Sequence, residues 1–208
     1  MTLIRLIGAA AAILTFMCGS IGPNAGSETT SGVKIAAEGT TIRVTTASAA
    51  TVILFDAGFA PGDTQKTADT ATVDGSGRVA FTGLQAGTYN VFVYPAGPSK
   101  GAVVRGIPIG SNFEPAYADS SAFGALRTIA GIVMRQGLPD SVAQVYIIGS
   151  PFYAQTDSQG KFMFHEVPAG SYTIVARESM RAGTPEDTVS VDLARLTDSM
   201  VNVTLELP

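Results

Sequence analysis

The chain has 208 residues, of which 46% are hydrophobic and only 14% are charged, and its formal net charge at pH 7 is -4. This apolar content is sufficient to build packed cores, which excludes a wholly disordered chain. The mild acidity and the lack of a basic stripe exclude the phosphate-driven binding of nucleic acid, so we expect no nucleic-acid partner.

The first element of the chain is a targeting segment. Arg5 precedes an apolar run from Leu6 to Met17, which has the length of a signal-peptide core and is short for a membrane span. Cys18 follows at once and is the only cysteine, so no intrachain disulfide can form. After it, the small and polar residues up to Ser31 predict a flexible tether over 18–31.

This segment resembles a bacterial lipoprotein signal, in which cleavage before the cysteine leaves it as the diacylated N-terminus. The resemblance implies that residues 1–17 are removed and that Cys18 is lipidated. It also implies that membrane lipid is a partner and that the protein is exported to the cell envelope, where we expect an outer-membrane anchor. Because Met17 is not the small residue that such signals carry before the cysteine, ordinary secretion with loss of Cys18 stays the alternative.

In the following part of the chain, short apolar runs broken by Gly, Pro and Asp predict β-strands joined by tight turns. The predicted strands are Gly32–Ala36, Thr41–Thr46, Thr51–Asp56, Asp69–Val73, Arg78–Thr82, Thr88–Tyr94 and Ala102–Ile107. We expect residues 32–110 to form a first β-sandwich and residues 111–126 to form a linker.

An internal repeat relates this part of the chain to the next. Asp74–Tyr89 and Asp157–Tyr172 align without a gap at a constant offset of 83 residues. The identical pairs are Asp74/Asp157, Gly77/Gly160, Phe81/Phe164, Ala86/Ala169, Gly87/Gly170 and Tyr89/Tyr172. The Asp-x-x-Gly pattern predicts a hairpin turn, because Asp bonds the backbone ahead and Gly adopts positive φ. A repeat of this length predicts a duplicated small domain.

The second half predicts its strands most clearly, and we expect a domain over 127–208. Those strands are Thr128–Met134, Ala143–Ile148, Phe152–Thr156, Lys161–His165, Ser171–Arg177, Asp187–Leu193 and Met200–Leu207. The last alternates apolar and polar residues, which is typical of a strand with one buried face. Since two apolar faces must cover each other, the chain is predicted to be all-β, with two tandem antiparallel β-sandwiches.

The second half resembles the carboxypeptidase regulatory-like domain, a transthyretin-like and Ig-like sandwich. The resemblance rests on Gly131–Met134, Ser141–Gly149, Thr156–Phe164 and Val167–Ile174, and the first half shares only Asp74–Val93. It implies no peptidase activity, because in carboxypeptidases this domain follows a separate zinc catalytic domain. Similar sandwiches are accessory modules of envelope proteins, and some bind polysaccharide.

The sequence contains few residues that could catalyse a reaction or bind a metal ion. His165 is the only histidine, and a His beside Glu166 is not a metal-ligand pattern. Asp74 and Asp157 supply one carboxylate each, which predicts turn stabilisation rather than a calcium loop. We therefore expect no cofactor, no metal and no catalytic residue. A hydrolytic function would need an acid pair in the loop that carries Asp56, Asp63 and Asp69.

Two further possibilities concern a cross-link and a sugar platform. Pilin-type sandwiches, which are related to this fold, can join Lys to Asn; the corresponding pairs here would be Lys34 with Asn90 or Lys161 with Asn202. A sugar site would use exposed aromatic rings. The candidates for ligand contact are Tyr94, Tyr117, Phe152 and Tyr153.

Two functions stay open at this point. The first is a non-enzymatic envelope lipoprotein with a structural, adhesive or protein-binding role. The second is a carbohydrate-binding accessory protein, which requires two exposed aromatic rings that lie in one plane. The corresponding partners are a protein or a polysaccharide.

The lipid anchor is testable directly. Cells fed labelled palmitate are expected to label the protein, and Cys18→Ser is expected to abolish the label and release the protein from the membrane fraction. Gel fluorography combined with fractionation measures both effects. A protein that stays membrane-bound without ever taking up label would contradict lipidation.

Overall fold

The computed structural model describes residues 32–46, 49–63, 68–97, 100–110, 117–179 and 183–208. Cys18 and the rest of residues 1–31 lie outside this description, so lipidation stays a prediction. Within the described residues there are seventeen strands, and no helix there is long and apolar enough to cross a bilayer.

The first unit contains nine strands. They are β1 (Gly32–Glu38), β2 (Thr41–Thr45), β3 (Ala50–Asp56), β4 (Ala68–Thr72), β5 (Arg78–Phe81), β6 (Gly87–Pro95), β7 (Lys100–Ile109), β8 (Tyr117–Ala122) and β9 (Gly124–Ala125). One sheet has the order β5-β2-β1-β8, and the other, which we call the junction sheet, has the order β4-β3-β6-β7-β9. Alternation on the strands sends Val33, Ile35 and Val44 into the core between the two sheets.

The second unit contains the other eight strands. They are β10 (Arg127–Arg135), β11 (Leu138–Pro139), β12 (Gln144–Ile147), β13 (Tyr153–Gln155), β14 (Lys161–Val167), β15 (Ser171–Arg177), β16 (Glu186–Asp192) and β17 (Met200–Leu207). One sheet has the order β13-β12-β15-β16. In the other sheet, β10 lies between β14 and β17. The short strand β11 pairs with the end of β10, on the same edge of β10 as β14. Its core includes Ile129, Val145, Phe164, Ile174 and Leu205.

The structure confirms the predicted fold class of two tandem sandwiches built from antiparallel strands. β17 is the exception among the described strands, because it pairs with β10 in parallel. Every strand predicted from the sequence is present, with ends that differ by a few residues. Phe81, Phe164, Tyr89 and Tyr172 are all buried, as the repeat predicts.

The segment expected to be a linker contains strands. Within 111–126, β8 pairs antiparallel with β1, and β9 pairs with β7. β8 begins 83 residues before β17, the same offset as in the repeat, so it is the counterpart of β17 in the first unit. The two units therefore join within a few residues after β9, while the other predicted domain limits stay predictions.

The first unit departs from its repeat at one place. In the second unit the last strand, β17, pairs directly with β10. In the first unit β1 lies between β2 and β8 and pairs antiparallel with both. An additional strand at the start of the unit, β1, thus lies between β2 and β8, so these two strands do not pair with each other.

The repeated sequence forms the same turn twice. Asp74 Oδ1 accepts hydrogen bonds from the amides of Ser76 (2.8 Å) and Arg78 (3.0 Å). Asp157 Oδ1 accepts the equivalent bonds from Gln159 (2.8 Å) and Lys161 (2.9 Å). These bonds favour the ionised carboxylate. The Ser76 hydroxyl and then the Arg78 amide lower the pKa of Asp74, and the amides of Lys161 and Gln159 lower the pKa of Asp157.

The repeated tyrosines also share one role. The hydroxyl of Tyr89 donates to the carbonyl oxygen of Gln85 at 3.0 Å, and that of Tyr172 donates to the carbonyl oxygen of Pro168 at 2.8 Å. Each bond spans four residues and closes the turn before a central strand, as in the tyrosine corner of Ig-like sandwiches. The aspartates and tyrosines that the two halves share are therefore explained by turn and corner geometry.

The two turns predict a pH dependence of stability. Because the folded pKa of each Asp lies below the unfolded value near 3.9, both carboxylates stabilise the fold above that pH. This contribution is lost as the pH falls through the folded pKa. In urea titrations between about pH 2 and 5, the double variant Asp74→Asn/Asp157→Asn is expected to show a shallower loss of unfolding free energy than the parent chain. An unchanged slope would contradict this role for the two carboxylates.

Candidate functional site

The strand β6 is buried on both of its faces. Tyr89, Val91 and Val93 point into the core of the first unit. Phe92 points the other way and belongs to the core cluster of the second unit. The residues from Tyr89 to Val93 are all buried, as is typical of a strand covered on two sides. The second unit therefore covers the outer face of the junction sheet, and we call this contact the junction.

A chain of phenylalanine rings runs through the junction. Phe55 lies 5.0 Å from Phe59 and 6.1 Å from Phe92, measured between ring centroids. Phe92 then contacts Phe152 of the second unit at 6.1 Å, and Phe152 contacts Phe164 at 6.1 Å. The tilted and edge-on geometries are those that aromatic pairs prefer, each contributing about 0.5–1.5 kcal/mol beyond burial. Through these rings, Phe55 and Phe92 of the first unit belong to the same apolar cluster as the core of the second unit.

Beside these rings, Gly149 of the second unit forms hydrogen bonds with Phe59 and Asn90 of the first unit, and we call this contact the clasp. The turn after β12 brings Gly149 against the first unit, where its amide donates to the Phe59 carbonyl oxygen at 2.8 Å. The carbonyl oxygen of Gly149 accepts a hydrogen bond from Asn90 Nδ2 at 3.0 Å. Asn90 Oδ1 in turn accepts a hydrogen bond from the Gly106 amide at 3.1 Å. Asn90 is 2% exposed, and both ends of its amide are satisfied. The buried polar group therefore fixes one arrangement of the two units.

Glycine is required at the centre of this clasp. Gly149 has a φ of 67°, and a Cβ there would lie 2.5 Å from Asn90 Nδ2 and 2.6 Å from the Ala57 carbonyl oxygen. Both distances are shorter than any van der Waals contact allows. The approach of the two backbones is thus possible only without a side chain.

A cation and two tyrosines form the other side of the junction. The guanidinium of Arg105 lies over the ring of Tyr172, 5.1 Å from its centroid, and donates to the Ser171 carbonyl oxygen. Burial lowers the pKa of Arg105. Burial also raises the pKa of Tyr94, with a further contribution from Glu166, and burial raises the pKa of Tyr172. Burial therefore keeps both tyrosines neutral, and Arg105 makes a charged contact between the units.

The aromatic residues proposed from sequence do not form one platform. Tyr94 is half-buried in the junction, and Phe152 is one of the junction rings. Tyr153 is 46% exposed, whereas the adjacent Phe152 packs against Phe92 in the junction. Tyr117 lies on β8, opposite Ala37. Among the three residues whose side chains are described, only Tyr153 offers an exposed ring.

The residues considered for chemistry are dispersed. His165 is exposed on β14. The carboxylates of Asp56 and Asp69 accept bonds from the amides of Gly58 and Thr70 close by in sequence. In the described part of the chain, no group of three or more His, Cys, Asp or Glu residues is placed to hold a metal ion.

Neither Lys–Asn pair is brought together. Lys34 is exposed on β1, whereas Asn90 lies in the junction sheet and bonds the second unit. Lys161 and Asn202 lie on β14 and β17, on either side of the central strand β10. The cross-link considered from sequence is therefore absent from both places.

The first unit also carries a concave face with a volume of about 830 Å³ on β1, β2 and β5. Lys34, Arg43 and Arg78 line it together with small residues. Arg43 is paired with Glu38 at 3.3 Å, and Asp74 also lines the concavity. The acids offset most of the positive charge, so this face is a weak candidate for binding an anion.

Comparisons with known proteins give only distant similarities. No protein-family model matches the chain, and no curated protein matches it. Among solved structures, the minor pilin GBS52 of Streptococcus agalactiae is similar at 13% identity and a TM-score of 0.32, covering 79% of this chain and 84% of that one. The major pilin subunit BcpA of Bacillus cereus is similar at 11% identity and a TM-score of 0.33, covering 85% of this chain and 60% of that one. No functional inference rests on similarities this low, and the resemblance to the regulatory-like domain stays a prediction.

The clasp predicts that two glycines respond differently to the same change. Gly149→Ala is expected to lower the unfolding free energy by about 2–5 kcal/mol, because overpacking adds to the cost of positive φ. Gly83→Ala is the matched control, since Gly83 has a φ of 71° and no atom within 4 Å of its Cβ position. It is expected to cost about 1–2 kcal/mol. Equal losses in urea denaturation would show that the clasp is not close-packed.

Proposed function

We propose that the protein is a non-catalytic envelope protein that holds its two sandwiches as one rigid body and presents them to a protein partner. Lipidated Cys18 would attach it to a membrane, and residues 18–31 would act as the tether. The junction is the observation that carries this proposal. A chain that only linked two independent domains would not need a strand buried on both faces, a shared ring cluster and a satisfied buried amide.

The chemistry of the described residues supports a structural role over a catalytic one. The best-defined polar contacts, at Asn90, Asp74 and Asp157, are all satisfied by backbone groups within the fold. Residues poised for catalysis normally leave a reactive atom directed into a cleft. Here the same residue types are used to fix turns and the junction.

A carbohydrate-binding role has less support. Tyr153 is exposed, but it has no second exposed ring among the proposed aromatic residues whose side chains are described. Binding of the exported chain to envelope polysaccharides, lost in Tyr153→Ala, would favour that function and contradict the proposal. Capture of a protein partner that requires both units would support the proposed structural role.

Rigidity can be measured by the distance between spin labels on the two units. In a chain with Cys18→Ser, labels at Ala80→Cys and Ser190→Cys are expected to give one narrow distribution by pulsed electron resonance. Unlabelled protein is added in excess, so that only distances within one molecule are recorded.

Two matched variants test whether the narrow distance distribution depends on the junction. Phe152→Ala removes a junction ring and is expected to broaden the distribution. Tyr153→Ala changes the adjacent exposed ring and is expected to leave it narrow. A broad distribution in the parent chain would contradict a rigid junction.

A further inference from the structure

The outward face of the sheet formed by β14, β10 and β17 carries an apolar strip. On β10, alternation turns Ile129, Gly131 and Val133 toward the core, so Ala130, Ile132 and Met134 face outward. The register places Ala130 beside Met163 and Ile132 beside Lys161. Met163 and Met200 are 46% and 48% exposed. The strip consists of Ala130, Ile132, Met134, Pro139 and Met163. On β17 the outward residues beside it are Met200 at one end, then the polar Asn202 and Thr204.

The equivalent face of the first unit is different. There β1, β2 and β5 present Lys34, Arg43 and Arg78. Ala80 occupies the position of Met163 at the repeat offset of 83 residues. The architecture of the repeat therefore does not require an apolar surface at this place. Exposed apolar strips of this kind mark interaction surfaces in soluble proteins.

Charges flank the strip in a self-complementary way. Lys161 lies on the β14 side, opposite Ile132, and Glu206 lies on the β17 side, opposite Met134. A two-fold axis along β10, in the plane of contact, would place β14 of one copy over β17 of the other. Lys161 of each copy would then approach Glu206 of the other, because the two residues are offset by only two positions along the strand.

We propose that two copies of the chain associate face to face through this strip. The contact is isologous, so the same residues serve both copies and the assembly closes at a dimer. Packed sheets of this kind lie about 10 Å apart with strands within about 30° of each other. The flexible methionine side chains can fill the gap between the two twisted surfaces. This association does not depend on the function proposed above.

Sedimentation velocity of the exported chain carrying Cys18→Ser tests the proposal. The parent is expected to show a monomer–dimer equilibrium, and Met163→Asp is expected to weaken it at least about tenfold, since it would bury a charge between the two copies. Ala80→Asp, at the equivalent position of the first unit, is the matched control and is expected to leave it unchanged. Circular dichroism melting confirms that each variant is folded.

Charge exchange tests the geometry itself. Glu206→Lys is expected to weaken the dimer, because it opposes like charges, and adding Lys161→Glu is expected to restore it. A parent chain that is monomeric at all concentrations would overturn the proposal, as would a dimer indifferent to Met163→Asp or a double exchange that fails to restore association. A monomer whose strip binds phospholipid vesicles would overturn it in favour of a membrane surface.

Discussion

The double burial of β6 is the constraint on which the arrangement of the molecule depends. A strand covered on one side alternates apolar and polar residues, and its polar face remains in water. β6 has no such face between Tyr89 and Val93, because the second unit occupies the place of solvent. Separating the units would expose Phe92 and Phe55 and would leave Asn90 without its partner Gly149. Hydrophobic burial and a buried hydrogen bond thus favour the same arrangement.

Much of the fold was predictable because the strands carry local signals. The repeated Asp-x-x-Gly turns and the alternation in β17 each depend on neighbouring residues alone. The strands missed from the sequence lack such signals. β9 and β11 have two residues each, and β8 has the largely polar sequence YADSSA. β8 pairs because β1 offers it an edge, which no local pattern reveals.

The junction was not predictable for a related reason. Its contacts join residues that are far apart in the sequence, such as Asn90 with Gly149 and Arg105 with Tyr172. The sequence predicts Phe152 and Tyr94 as possible ligand contacts, yet in the structure both pack in the junction. One signal was available: a predicted strand with apolar residues at consecutive positions, interrupted only by Asn90, indicates burial on both faces. The repeat predicts two separate domains and carries no sign of a contact between them.

Calorimetric unfolding of the chain tests the rigid junction most directly. If the two units share an apolar cluster, they are expected to unfold in one transition whose van't Hoff enthalpy equals the calorimetric enthalpy of the whole chain. Two resolved transitions, or a van't Hoff enthalpy close to half the calorimetric value, would mean that each sandwich unfolds alone and would contradict this account.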